Sequence, residues 1–286
     1  MKNKTVSLPD GRRVPALGLG TWRMGEAVRT RRREVEAVRT ALALGYRLID
    51  TAEMYGDGGA EEVVGEAVRG AIAAGEVRRE DVFIVSKVYP HNASRAGVVQ
   101  ACERSLRRLG LDYLDLYLLH WRGSHPLAAT VAGFEALRAA GKVRDWGVSN
   151  FDVADLDDLL AVAGGERCAV DQVYYSVTRR GVEFDLLPAL RRHRMPLMAY
   201  CPIDGGAAAD NAALAAIGRR IGASAAQVAL AFVLRQPDVI AIPKAVRAEH
   251  LRENLAAAAL ELPPAALAEI DRAYPPPRSK QPLAIV

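Results

Sequence analysis

Four side chains able to move a proton follow short apolar runs in this 286-residue chain. Asp50 comes after Leu48-Ile49, with Tyr55 five residues on; Lys87 follows Ile84-Val85-Ser86, and His120 ends the run that starts at Leu114. Singly, each has a bland reading: Asp50 as a cap with Thr51, Lys87 as a strand-end amine reaching for solvent, His120 as a hydrogen-bonded core residue. Together they are harder to dismiss. Residues chosen only to end strands are more often Ser, Asn or Gly than an acid, a phenol, an amine and an imidazole.

The chemistry of the set is coherent. A phenol has an ordinary pKa of about 10, and a nearby cation favours its phenolate. At ~4 Å and an effective dielectric of ~20, a lysine charge contributes about 4 kcal/mol before desolvation losses, more than the ~2.7 kcal/mol that a two-unit shift needs. The expectation is that Lys87 lowers the pKa of Tyr55, while Asp50 is the anion that keeps a buried lysine charged. A neutral His120 can donate to a carbonyl oxygen as negative charge develops there. Such a set protonates an oxyanion, and it has no activated nucleophile. The five histidines, at 91, 120, 125, 193 and 250, show no HxH or HExxH spacing, so no metal is expected. Reduction of a carbonyl matches these parts: Tyr55 supplies the proton on oxygen, and the hydride must come from a cofactor.

Residues so far apart need elements that bring them to one rim. Residues 6–8 and 13–15 flank Pro9-Asp10-Gly11 and read as a small hairpin. Apolar runs then recur at 17–20, 48–50, 82–85, 114–119, 143–148, 169–173, 196–200 and 239–242, each followed by helical periodicity. Those helices include an apolar face at Val35, Val38, Ala41 and Leu42, a helix closed by Gly110, spans over 127–140, 153–163, 184–193 and 248–260, and a span over 225–235 behind a Ser224 cap. One more starts near Pro263. Eight strands alternating with eight helices give a (β/α)8 TIM barrel, an α/β fold, with a short N-terminal β-hairpin, as one domain over 1–286. A doubly wound sheet also satisfies the count, but no GxGxxG follows any strand.

Composition closes other routes. The charge of +4 comes from 38 basic and 34 acidic residues, too evenly spread for a nucleic-acid partner; residues 29–33 are basic but run straight into Glu34 and Glu36 and read as a solvated helix start. Cys102, Cys168 and Cys201 are odd in number and far apart, which fits a reducing cytoplasm. No stretch approaches the ~20 apolar residues of a membrane span. A cytoplasmic monomer acting on a small carbonyl compound is expected.

At this point the chain resembles the aldo-keto reductase family. Residues 48–56, LIDTAEMYG, look like its first signature, 84–87 like its lysine strand, and 114–121, LDLYLLHW, like its histidine strand. The likeness spans almost the whole chain and is closest to short bacterial members that include methylglyoxal reductases. It implies a catalytic tetrad of Asp50, Tyr55, Lys87 and His120 and a nicotinamide cofactor bound extended across the barrel mouth. Ser149, Asn150 and Gln172 match the residues that hold the carboxamide, and Tyr200 falls where an aromatic ring stacks on the nicotinamide. Gly20, Thr21 and Trp22, with Cys201, Pro202 and Ile203, are the further contacts implied at two strand ends. Lys244, Ala245, His250, Glu253 and Asn254 are assigned to the adenosine end. Lys244 also lies after strands seven and eight, where barrels commonly bind phosphate, which favours NADPH/NADP+. The family generally has Ser beside the lysine and Arg six residues after it; Ala245 and His250 here remove a hydroxyl and a fixed cation, leaving NADH open and Arg247 as the available substitute. Trp22, Tyr55, His120, Trp121 and Tyr89 are the candidate substrate walls, and short loops after Pro202 and Pro277 suggest an open mouth. The competing reading is a non-catalytic, nicotinamide-binding regulatory protein of the same fold, against which the intact tetrad argues.

Overall fold

The computed structural model describes residues 4–286. The hairpin pairs β1 (Thr5–Ser7) with β2 (Arg13–Pro15), Thr5 opposite Pro15 and Ser7 opposite Arg13. Its turn closes through Leu8 N donating to Arg12 O at 2.8 Å, with Gly11 at φ +87°, a left-handed value that glycine adopts without strain.

Eight parallel strands follow: β3 (Leu19–Gly20), β4 (Leu48–Asp50), β5 (Phe83–Val88), β6 (Leu114–Leu119), β7 (Val143–Ser149), β8 (Asp171–Tyr174), β9 (Leu197–Tyr200) and β10 (Val239–Ala241). They pair in chain order, and bridges from Leu17 to Ala241 and from Gly20 to Lys244 join the first to the last. Across that seam Gly18 N donates to Ala241 O at 2.9 Å and Gly20 N to Pro243 O at 3.2 Å. A Cβ on Gly20 would stand 2.6 Å from Ile242 O, so only glycine lets the two strands meet. The fold is a (β/α)8 barrel with an N-terminal hairpin. Every residue of β6 is buried, as expected of a strand covered by barrel interior on one face and helices on the other.

Among the described residues, ten α-helices surround it: α1 (Val28–Leu44), α2 (Gly59–Ala73), α3 (Arg95–Leu109), α4 (Leu127–Ala139), α5 (Val153–Leu160), α6 (Leu186–Arg192), α7 (Ala212–Ile221), α8 (Ala225–Leu234), α9 (Ala248–Ala258) and α10 (Pro264–Ala273). The expected caps are present. Ser224 Oγ accepts from Gln227 N at 3.2 Å while Gln227 Oε1 accepts from Ser224 N at 2.9 Å, and Gly110 closes α3 at φ +62°. The basic run 29–33 lies in the first turns of α1, where Arg31 bonds Glu62 and Glu66 of α2.

Several boundaries depart from the apolar pattern. Strand β5 runs to Val88 because its polar residues Ser86 and Lys87 find buried partners and need not end it. The helical stretch expected near Ala212 is α7, a helix separate from α8 and started by the Asn211 side chain accepting from Leu214 N at 3.1 Å. Helix α5 stops at Leu160, ahead of a turn at Gly164 (φ +88°) and Gly165 that brings the chain back against Leu159 O.

One buried group fastens the helices behind the lysine strand. Glu61 of α2 is fully buried; it accepts from Ser86 Oγ of β5 at 2.5 Å and from Arg108 Nε of α3 at 2.6 Å. Helices α2 and α3 are thereby keyed onto β5, and the register of β5 sets where Lys87 emerges. Among the described residues, no single helix is long and apolar enough to cross a membrane.

Candidate active site

The strand ends deliver the expected residues to one cavity of about 1060 Å³ at the carboxyl rim. Asp50 ends β4, Tyr55 opens the short 3-10 turn Tyr55–Gly58, Lys87 lies in β5, and His120 directly follows β6. Lys87 Nζ donates to Asp50 Oδ2 at 2.7 Å, to Thr51 O at 2.9 Å and to the Tyr55 hydroxyl at 3.2 Å. Three donated bonds satisfy all three ammonium protons, which is how a fully buried lysine is tolerated. Asp50, Tyr55 and His120 line the cavity; Lys87 stands behind them.

Electrostatics correct one expectation. Lys87 does not lower the pKa of Tyr55: burial, reinforced by the Asp50 charge, pushes the phenol well above its usual value. Burial also lowers the affinity of Lys87 for its proton, against the pull of Asp50, and raises that of Asp50, against the pull of Lys87. Removing a phenolate from water costs more here than the attraction of one ammonium returns. Tyr55 is therefore a protonated phenol at rest. His120 is pushed well below the usual imidazole range by burial and then by the Lys87 charge, so it is neutral.

A second set faces the same space from β7, β8 and β9. Ser149 Oγ donates to Gln172 O at 2.8 Å; Asn150 Nδ2 donates to His120 O at 3.2 Å; the Tyr200 hydroxyl donates to Asn150 Oδ1 at 2.9 Å. Asn150 sits at φ +59°, a left-handed value that Asn tolerates better than most side chains. Gly20, Thr21 and Trp22 line one wall, and Cys201, Pro202 and Ile203 another. Burial pushes the Cys201 thiol up to about 11, which leaves it an unreactive wall residue.

Lys244, His250, Glu253 and Asn254 line the far end. Ala245 is packed in the core, 3% exposed, and its side chain is not among the lining residues. Arg247 contacts the His250 ring. Tyr89 meets Trp121 edge-on at 5.9 Å between ring centroids and stands behind the lining, which includes Trp121 and Trp22. The 3-10 segment Asp204–Asp210 contributes Gly205, Gly206 and Ala209, and Ile285 and Val286 line the cavity as well. Met54, Arg23 and the first residues of α8, Ser224 to Ala226, were not singled out by sequence; only the Ser224 cap signal pointed to that helix start.

A barrel with an acid, an ammonium, a phenol and a neutral imidazole at the ends of successive strands defines a class. The aldo/keto reductase family model matches residues 16–275, and the chain belongs to that family. It is similar to methylglyoxal reductase YeaE of Escherichia coli (strain K12), 48% identical over 291 residues covering 100% of both chains, and to glyoxal reductase of Bacillus subtilis (strain 168), 36% identical over 250 residues covering 87% of this chain and 85% of that one. Among solved structures it is similar to an aldo-keto reductase from Klebsiella pneumoniae in complex with NADPH, with a TM-score of 0.94 and 48% identity covering 100% of both chains.

The residues present fit a nicotinamide dinucleotide. The cavity lies at the upper end of the ~300–1,000 Å³ usual for small-ligand sites. It carries polar groups at one end, at Ser149, Asn150 and Gln172, and a cation at the other, at Lys244. The N-terminus of α8 lines it too, through Ser224, Ala225 and Ala226.

Proposed function

We infer that the protein reduces aldehydes and ketones, small aldehydes and α-dicarbonyls such as methylglyoxal among them, to alcohols with NADPH. The observation that carries this reading is the buried contact between Lys87 and Tyr55 at 3.2 Å, braced by Asp50 at 2.7 Å and facing the cavity beside a neutral His120. The names of the similar proteins from Escherichia coli and Bacillus subtilis, and the NADPH in the similar Klebsiella structure, support the substrate class and the cofactor.

Ser149, Asn150, Gln172 and Tyr200 would hold the nicotinamide ring, and the reduced ring, when bound, would supply the hydride. Neutral His120 donates to the substrate oxygen and fixes its direction. As that oxygen gains negative charge, Tyr55 gives up its proton to it. The phenolate so formed lies 3.2 Å from the Lys87 ammonium, which stabilises it, and Asp50 keeps that ammonium charged. Phenol high in pKa at rest and phenolate stabilised at the moment of transfer is what a proton donor needs. Trp22 and Trp121 wall the substrate end, and Lys244, with Arg247 against the His250 ring nearby, makes a cationic end for a 2′-phosphate. Residues 1–286 act as one barrel, working as a cytoplasmic monomer.

The test is loss of absorbance at 340 nm when NADPH is mixed with the protein and methylglyoxal, glyceraldehyde or a nitrobenzaldehyde. Turnover supports the reading. Tight NADPH binding with no turnover of any carbonyl would leave only the regulatory nicotinamide binder of the same fold.

A further inference from the structure

Most buried carboxylates in this chain face a cation. Asp50 has Lys87, Glu53 has Arg104, Glu61 has Arg108 and Asp115 has Arg79, at distances between 2.6 and 3.6 Å. Glu34 accepts instead from Gly25 N at 2.8 Å. Asp171 has neither kind of partner. It is fully buried at the start of β8, and among the described residues nothing hydrogen-bonds to either of its carboxyl oxygens.

Its place in the sheet says what it faces. Successive side chains of a strand point to opposite faces, so with Gln172 in the cavity wall Asp171 faces outward, beside Val148 of β7 and against the turn that leads from β7 into α5. That turn carries Asn150 at φ +59°, the fully buried Phe151, and Asp152, the N-cap of α5. The Phe151 main-chain N–H is the favourable group facing the carboxyl, and among the described residues it donates to no main-chain acceptor. The charges facing it from α5 are both acidic, Asp152 and Asp155. Their own cations are engaged, Lys280 with Asp152 at 3.1 Å and Arg122 with Asp155 at 2.7 Å. The Cys168 thiol ahead of β8 and the Tyr200 phenol at the end of β9 also feel its charge, and burial keeps both neutral. A carboxylate with no counter-charge in such a place costs far more than the neutral acid. Burial pushes the Asp171 carboxyl well above the usual carboxylate range; the Phe151 N–H opposes that rise, and Asp155 and Asp152 add to it.

We propose that Asp171 is a positioning residue held as a neutral carboxylic acid: its carbonyl oxygen supports the Phe151 N–H and so fixes the turn that presents Asn150 to the cavity. The positioning role rests on the nicotinamide reading above; the neutral acid does not. Asn150 matters to the site because its side chain joins His120 O, at 3.2 Å, to the Tyr200 hydroxyl, at 2.9 Å. Ionised, Asp171 would set a third negative charge beside Asp152 and Asp155 and drive the turn outward. The neutral form is therefore the working one, and an asparagine amide, which offers the same acceptor and cannot ionise, reproduces it.

Two measurements on the whole chain test this. The first is urea unfolding of the wild type and of Asp171→Asn between about pH 5 and pH 8. The unfolded chain gives up this proton near pH 4 while the folded chain keeps it, so wild-type stability falls as pH rises and that of Asp171→Asn does not fall with it. Relative to the variant, the folded-to-unfolded ratio of the wild type is expected to drop about tenfold per pH unit while the folded group stays neutral, and at least ~30-fold over the range. A relative ratio constant within about threefold means an ionised carboxyl and overturns the proposal. The second is NADPH affinity at about pH 7.5, read from quenching of the tryptophan fluorescence of Trp22 and Trp121, with kcat for methylglyoxal at saturating NADPH beside it. Asp171→Asn is expected to bind within about threefold of the wild type. Asp171→Val, which fills the same space without an acceptor, is expected to bind at least ~10-fold more weakly, with kcat lowered less than affinity. Asp171→Val binding as tightly as the wild type overturns the positioning role, and so does Asp171→Asn binding ~10-fold more weakly than the wild type, an outcome that decides even where Asp171→Val does not fold. A wild-type chain that binds NADPH and reduces no carbonyl overturns the reductase reading and leaves this inference standing. One that binds no NADPH overturns the nicotinamide reading and the positioning role together, while the urea series still decides the neutral acid.

Discussion

Lys87 Nζ donates to the Tyr55 hydroxyl oxygen at 3.2 Å from a position with no exposure to solvent. The lysine is held there by Asp50 and by Thr51 O, so its place does not depend on a bound ligand.

Substituting Lys87→Met removes the cation that faces the nascent phenolate and leaves Asp50 without its ion-pair partner. Asp50 then takes a proton, and Tyr55 must lose its own in an apolar setting. A fall in kcat of about 10²–10⁴ is expected, the range set by losing acid catalysis, with cofactor affinity changed much less. Steady-state rates at saturating NADPH and direct NADPH binding check it together; a tenfold loss of cofactor affinity with kcat intact would place Lys87 in binding.

The neutral state of His120 has two consequences of known sign. Its proton affinity is depressed in the folded chain by burial and by Lys87, so no limb from imidazole titration is expected in kcat between pH 6 and 8. The unfolded chain, with an ordinary imidazole of pKa about 6.5, binds the proton first. Stability from this group is therefore fully present above about pH 6.5 and is lost as pH falls towards the depressed folded value. Between pH 7.5 and 5.5 that amounts to about 1 kcal/mol. Urea unfolding at the two pH values should show a larger loss for the wild type than for His120→Gln; equal losses would mean that the imidazole is not held neutral by the fold.

Lys244 lines the far end of the cavity and is exposed. If it reads a 2′-phosphate, Lys244→Ala raises KM for NADPH by about tenfold or more and leaves KM for NADH unchanged, because NADH has no phosphate there. An equal rise for both cofactors would move Lys244 to the pyrophosphate or to a purely structural place.

Behind the site, Glu61 is fully buried between Ser86 at 2.5 Å and Arg108 at 2.6 Å. Glu61→Ala would strip Arg108 and Ser86 of their acceptor, which for a buried pair costs about 3–5 kcal/mol. The measurement is the urea midpoint at pH 7. Loss under 1 kcal/mol would show that α2 and α3 hold β5 without this clasp.

Much of this was legible in the sequence, and the exceptions share a cause. The apolar runs ending in Asp50, Lys87 and His120 mark strands because a barrel strand buried on both faces is nearly continuous in apolar residues. Ser224 and Gly110 mark helix ends because their cap chemistry is local. The direction of the Tyr55 shift was not legible, since it depends on how completely the phenol is removed from water. Neither was Glu61, whose partners lie 25 and 47 residues away. The burial of Ala245 beside exposed Lys244 was not legible either, since it depends on what packs over it. The walls given by Ile285 and Val286 come from chain far from every strand end and carry no local signal.

The central claim is that Tyr55 is the proton donor in NADPH-dependent carbonyl reduction. The most direct measurement is the rate of NADPH oxidation at 340 nm with methylglyoxal for the wild-type chain and for Tyr55→Phe, alongside NADPH affinity for both. The account predicts turnover by the wild type, a loss of about 10²-fold or more in kcat on removing the hydroxyl, and near-equal NADPH affinity. A Tyr55→Phe chain that reduces methylglyoxal at close to the wild-type rate would contradict it.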